Sequence, residues 1–92
     1  MTETNGTPGP VARLGSCVRY RHQMETEVET VEIVDAHDAD FRARRISAES
    51  PIGRALLGCR AGQSVMAHTP GGPRLVHLLE VSPHLLDDTV QT

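Results

Sequence analysis

The residues best equipped for chemistry are two cysteines, Cys17 and Cys59, and five histidines, His22, His37, His68, His77 and His84. Thiolate sulfur and imidazole nitrogen are zinc ligands, and the stretch "HDAD" beginning at His37 would add carboxylate oxygens. No HxH, CxxC or HExxH spacing occurs, although His68 and His77 are expected on adjacent strands. Exposed strand and loop histidines are the simpler account, so neither a metal nor any other cofactor is expected. Neither cysteine lies in a nucleophile motif, and both read as buried free thiols acting as small hydrophobes. All nine basic residues are Arg, which removes a Schiff-base or P-loop lysine. What remains is the run Glu49-Ser50-Pro51. Its simplest reading is a helix start, with the Ser50 hydroxyl capping a free N–H and Pro51 at the first helical position. A Glu49 carboxylate there is favoured by the helix N-terminus by about 0.3–1 kcal/mol.

Those residues must be positioned by a small body. Ninety-two residues make one domain. Hydrophobic residues are 38% of the chain, yet it has no Trp, one Tyr (Tyr20) and one Phe (Phe41), so the core must be aliphatic. No apolar run approaches the roughly 20 residues that span a bilayer, so no membrane is expected. The opening "MTETNGTPGP" shows no secretory pattern, and a cytoplasmic location is expected. A formal net charge of −3 argues against nucleic acid as a direct ligand. Seven acidic residues fall between positions 25 and 40, and five arginines (Arg42, Arg44, Arg45, Arg54, Arg60) follow. This polarity suits solvated faces that complement each other across neighbouring strands.

Residues 1–10 and 84–92 read as flexible tails around a domain at 11–83. "GSCVRYRH" alternates Val18 and Tyr20 against Arg19 and Arg21, and "VETVEIVD" sets Val31 and Ile33 against Thr30 and Glu32. The two suit an antiparallel pair, with Arg19 and Arg21 near Glu32 and Glu29. "AHDADFRARR" reads as irregular and "RIS" as a short strand. Ile52, Ala55 and Leu56 form an apolar stripe behind Ser50-Pro51, and Gly58 is placed to end the helix in the left-handed region. Two turns of helix are unstable alone, so this one must pack on a sheet. "SVMAHT" and "RLVHLLEVS" read as strands joined by "TPGGP" as a type II turn. The core is expected to contain Val65, Val76, Leu78, Leu79 and Val81. Together these elements give an α+β domain, an antiparallel sheet of four or five strands with one short helix packed on it. The uncovered sheet face fits either a monomer or a weak homodimer.

The fragments "LGSCV", "ETVEIV", "DAD", "RISAESPIGRALLG", "AGQSV" and "TPGG" with "LLEV" occur in that order. In order and approximate spacing the chain resembles the C-terminal domain of the GreA/GreB transcript-cleavage factors, from about Val11 to Ser82. The resemblance implies an FKBP-like fold. It also implies a partner: in that family this domain sits at the rim of the secondary channel of RNA polymerase and grips the β′ coiled coil. The family's acidic-Ser-Pro docking turn maps onto Glu49, Ser50 and Pro51. Its N-terminal coiled coil, whose acidic tip helps hold a catalytic metal, has no counterpart in these residues, so no catalytic residue is expected. Asp35, Cys59 and Gln63 depart from the residues the family commonly has at those places.

The expected function is therefore a non-catalytic RNA polymerase-binding accessory protein, modulating elongation or competing with Gre factors. The alternative is a non-enzymatic interaction module that kept the fold and binds another partner. FKBP-like prolyl isomerases line their pocket with several aromatic residues, and Tyr20 and Phe41 alone do not supply such a pocket.

Overall fold

The computed structural model describes residues 9–83; of the tails expected at 1–10 and 84–92, residues 1–8 and 84–92 lie outside the described residues. Five strands, β1 (Cys17–His22), β2 (Val28–Val34), β3 (Arg45–Ser47), β4 (Ser64–Thr69) and β5 (Gly72–Ser82), form one sheet in the order β3-β2-β1-β5-β4. Among the described residues a single α-helix, α1 (Pro51–Leu56), joins the two edge strands. The α+β expectation holds, with one difference. β2 and β3 pair in parallel, Ile33 beside Ile46, while every other pairing is antiparallel. The parallel pairing needs a crossover, and two 3-10 turns, Ala36–Asp38 and Phe41–Ala43, supply it in the segment read as irregular. Asp35 and Asp40 cap these turns by accepting backbone N–H groups, and Arg44 closes the second with φ of 62°. Asp35 thus has a local structural use.

The core is aliphatic as composition requires. Val18, Val31, Ile33, Val76, Leu78 and Val81 line the inner sheet face, Leu56 plugs it from α1, and Tyr20 is buried among them. Val65 packs against this cluster from β4. Leu79 does not join it: the side chain is 44% exposed. The reason is a bulge. Arg19 pairs with Glu80 but Tyr20 pairs with Leu78, leaving Leu79 as the extra residue on β5. The bulge turns Leu78 and Val81 to the same side although three positions separate them. Ala12, ahead of β1, is also buried and is clipped to the end of α1: its N–H donates to Cys59 O (2.8 Å) and its carbonyl accepts from Gly58 N–H (2.8 Å). Gly58 takes the expected left-handed conformation, φ 84°. In the β4–β5 turn the positive φ falls on Gly72 (116°) and not on Gly71, so the turn is not the type II form expected.

The outer sheet face is polar. Arg19 bonds Glu80 (3.2 Å) and Arg45 approaches Glu32 (3.5 Å) there, while Arg44 bonds Glu29 (2.9 Å) at the rim of the inner face, where Glu29 lies opposite Tyr20. The expected pairs of Arg19 and Arg21 with Glu32 and Glu29 do not form. The register sets Arg19 opposite Thr30 and Arg21 opposite Val28, and arginines at the start of β3 occupy the β2 carboxylates instead. Arg21 donates to the Glu25 carbonyl (3.0 Å). These exposed pairs contribute about 0–1 kcal/mol each, so they tune the register and the apolar face decides it.

Two measurements follow from this packing. Leu56→Ala should lose about 2–5 kcal/mol by opening a core cavity, while Leu79→Ala should lose under about 1 kcal/mol; urea melts of both decide it. Burial pushes the Cys17 thiol above its ordinary 9.0, with Glu32 and Glu80 adding and Arg19 opposing. Burial likewise raises the Tyr20 phenol above 10.0. The unfolded chain therefore loses these protons at a lower pH than the folded chain. Their contribution is fully present below about pH 9 and is lost as pH rises through the folded values. Cys17→Ala should flatten the first part of that alkaline decline in stability.

Candidate functional site

The Glu49-Ser50-Pro51 turn is built from β3 outward. Ser47 ends β3, and Ala48 N–H donates to Val34 O (2.8 Å), tying the exit to β2. Ser47 then serves both its neighbours: its hydroxyl accepts from Glu49 N–H (2.9 Å), and its carbonyl accepts from Ser50 N–H (3.0 Å) and from the Ser50 hydroxyl (2.7 Å). Ser50 Oγ in turn accepts from Gly53 N–H (3.1 Å), the expected N-cap, and Pro51 takes the first helical position. Such a doubly engaged hydroxyl fixes the turn before any partner arrives.

Sequence reasoning missed the residue that holds this turn down. Gly53 is buried in α1, and a Cβ built there would collide with the Ser47 carbonyl oxygen. The helix therefore lies directly on the β3 exit, closer than any side chain permits. Only the presence of Gly inside a helical pattern could have signalled it.

Ser50 and Pro51 are half-buried, and Glu49 is exposed. Among the described residues no side chain forms an ion pair with the Glu49 carboxylate, although most other acidic side chains of the sheet have an Arg nearby. Glu49 and Pro51 form the lip of an open groove between α1, which contributes Arg54 and Ala55, and β4, which contributes Val65 and Met66. The three predicted residues thus stand together on one surface, a carboxylate beside an apolar trough. That arrangement can receive a basic side chain together with an apolar one. The Cys59 thiol and the His68 imidazole also line the groove, and the thiol is hydrogen-bonded to the Ala55 carbonyl rather than to the imidazole.

The other candidate residues are scattered. His68 faces Pro73 across the β4–β5 ladder while His77 faces Ser64, so the two histidines are not opposed. His77 Nδ1 instead lies 2.6 Å from Ser64 Oγ. Among the described residues no group of three His, Cys, Asp or Glu side chains is arranged to hold a metal ion. Cys17 is buried as expected, but Cys59 is only half-buried and opens onto the groove, its thiol donating to Ala55 O (3.4 Å). Tyr20 and Phe41 line one cleft, Tyr20 in its wall and Phe41 90% exposed at its rim. Among the described residues no helix is long and apolar enough to cross a membrane.

Residues 7–83 match the family profile described as transcription elongation factor, GreA/GreB, C-term. The chain belongs to the GreA/GreB family. The transcription elongation factor GreA of Thermomicrobium roseum is 48% identical over 71 residues, covering 77% of this chain and 44% of that protein. GreA of Chloroflexus aggregans is 43% identical over 81 residues, covering 88% and 51%. Among solved structures, GreA factor homolog 1 of Thermus thermophilus superposes with a TM-score of 0.68 at 32% identity, covering 82% of this chain and 50% of that one. The chain spans about half the length of the curated relatives it matches. It is a Gre-family transcription elongation factor domain, and the GreA/GreB fold accounts for the mixed sheet and its single helix.

Gly53→Ala tests the seating of α1. In an open helix this change stabilises by about 0.5–1 kcal/mol, whereas here it should destabilise by about 1–3 kcal/mol or more, because the obstructing atom is backbone. Thermal melting gives the sign, and a stabilised variant would show that the contact is loose.

Proposed function

We propose that this domain is a non-catalytic RNA polymerase-binding module that seats on the β′ coiled coil at the rim of the secondary channel. There it modulates elongation or competes with full-length Gre factors, acting in the cytoplasm. The observation that carries this reading is the Glu49 carboxylate: exposed, without an ionic partner among the described residues, and fixed on a turn whose hydrogen bonds are already made. A preorganised charge loses little conformational freedom on binding. The apolar groove beside it adds area that is buried once a partner covers it. Family membership and the match of Glu49-Ser50-Pro51 to the family's acidic-Ser-Pro turn support the choice of partner. The domain contributes no reacting group in this role. Its effect on transcription follows from where it sits and what it keeps from the channel.

Glu49→Arg separates docking from folding. An exposed residue ahead of the cap carries little burial, so the change should cost under about 1 kcal/mol of stability. A desolvated charge contact, once broken, costs about 2–5 kcal/mol, or roughly 30- to several-thousand-fold in affinity. Binding to immobilised polymerase should therefore fall steeply while the melting temperature hardly moves. The parent chain in excess should also slow Gre-stimulated transcript cleavage. Unchanged binding by Glu49→Arg would place docking elsewhere, and no binding by the parent chain would favour an interaction module with another partner.

A further inference from the structure

Four of the five strands carry Arg or Glu; β4, "SVMAHT", carries no charged residue and no Pro. It is nevertheless an edge of the sheet. Edge strands present unpaired N–H and C=O groups, and proteins ordinarily guard them with charge, Pro, bulges or brevity. The opposite edge is guarded in this way: β3 has three residues, begins with Arg45 and is flanked by the Asp40–Arg45 bridge. β4 has six residues and none of these devices.

The register shows which groups are free. Thr69 and Gly72 close a two-residue hairpin, so residues 65, 67 and 69 bond to β5 and residues 64, 66 and 68 turn their backbone groups outward. Two further observations agree with this phase. Pro73, which has no N–H, lies opposite His68. Leu75, opposite Met66, turns its carbonyl away from β4 to accept from Gln23 N–H at 2.9 Å. Among the described residues no hydrogen bond outside the ladder uses the outward backbone groups of Ser64, Met66 or His68.

We infer that β4 pairs antiparallel with β4 of a second copy of this chain, across a two-fold axis at Met66. Met66 then faces its own copy and Ser64 faces His68, so all three outward residues find backbone partners and the two sheets become one. A two-fold axis sets the central residue against itself, which a charged residue resists. An uncharged strand removes that repulsion, and this is the observation that selects a second copy as the occupant. Met66 is 45% exposed, and its flexible thioether accommodates a symmetric contact; because Met66 also lines the groove beside Glu49, this pairing and docking of a partner in that groove exclude each other.

Sedimentation of the full chain from micromolar to millimolar concentration tests the pairing. A monomer–dimer equilibrium is expected, and Met66→Lys should raise its dissociation constant at least about tenfold by opposing two like charges. Leu79→Lys is the control, because Leu79 is equally exposed (44%) but lies on β5, inside the sheet. It should leave the dimer intact. Hydrogen exchange needs no variant: the Ser64, Met66 and His68 amides should slow as the chain is concentrated. A chain that stays monomeric at millimolar concentration, or whose dimer responds to Leu79→Lys as much as to Met66→Lys, overturns the pairing. So does a dimer that leaves those three amides unprotected.

Discussion

The contact on which the rest of the structure depends is the bare backbone of Gly53 resting on the Ser47 carbonyl. α1 must carry the chain from β3, one edge of the sheet, to β4, the other, and has only six residues in which to do it. A helix so short holds no structure by itself. It gains it by lying close enough to the β3 exit for Leu56 to enter the core and for the Ser50 cap to reach back to Ser47. Lifting the helix by the width of a methyl group would disturb both. It would also move the lip of the groove, because Glu49 and Pro51 are part of the same hydrogen-bonded turn.

Stability and surface chemistry are thereby divided between the two sides of the sheet. The inner face holds an aliphatic core under α1, and the outer face holds the Arg19–Glu80 and Arg45–Glu32 pairs, whose side chains remain partly in water. The proposed docking turn belongs to neither. It stands at the margin, where the helix leaves the sheet, so a charge can be presented there without disturbing the core. Among the described residues no arginine pairs with Glu49, and this sets it apart from Glu29 and Glu32 of β2 and Glu80 of β5.

Much of this was readable from local chemistry. Alternation marked β1 and β2, the Ser50-Pro51 pair marked the start of α1, and Gly58 marked its end. Partner choice was not readable, because periodicity assigns faces and says nothing about neighbours. Arg19 therefore met Glu80 and not Glu32, and β3 joined β2 in parallel. The bulge at Leu79 was hidden for a related reason: "HLLEV" reads as a continuous apolar stretch, and nothing in it says which leucine steps out of phase. In the site, Glu49, Ser50 and Pro51 were visible because capping is local and because the motif resembles a known one. Gly53 and the groove wall from β4 were not, since both depend on where a distant strand lies.

The central seam of the sheet has a kinetic consequence. β1–β2 and β4–β5 are hairpins of near neighbours, but the seam between β1 and β5 joins residues such as Arg19 and Glu80 that are 61 positions apart. Each hairpin can form early from its own turn. The seam requires most of the chain to be gathered first, and that loss of chain entropy precedes the contacts that compensate it. Until it closes, both hairpins carry an apolar face without a cover. The topology therefore sets the order of assembly, with two local halves first and their union, completed by the helix that bridges them, last.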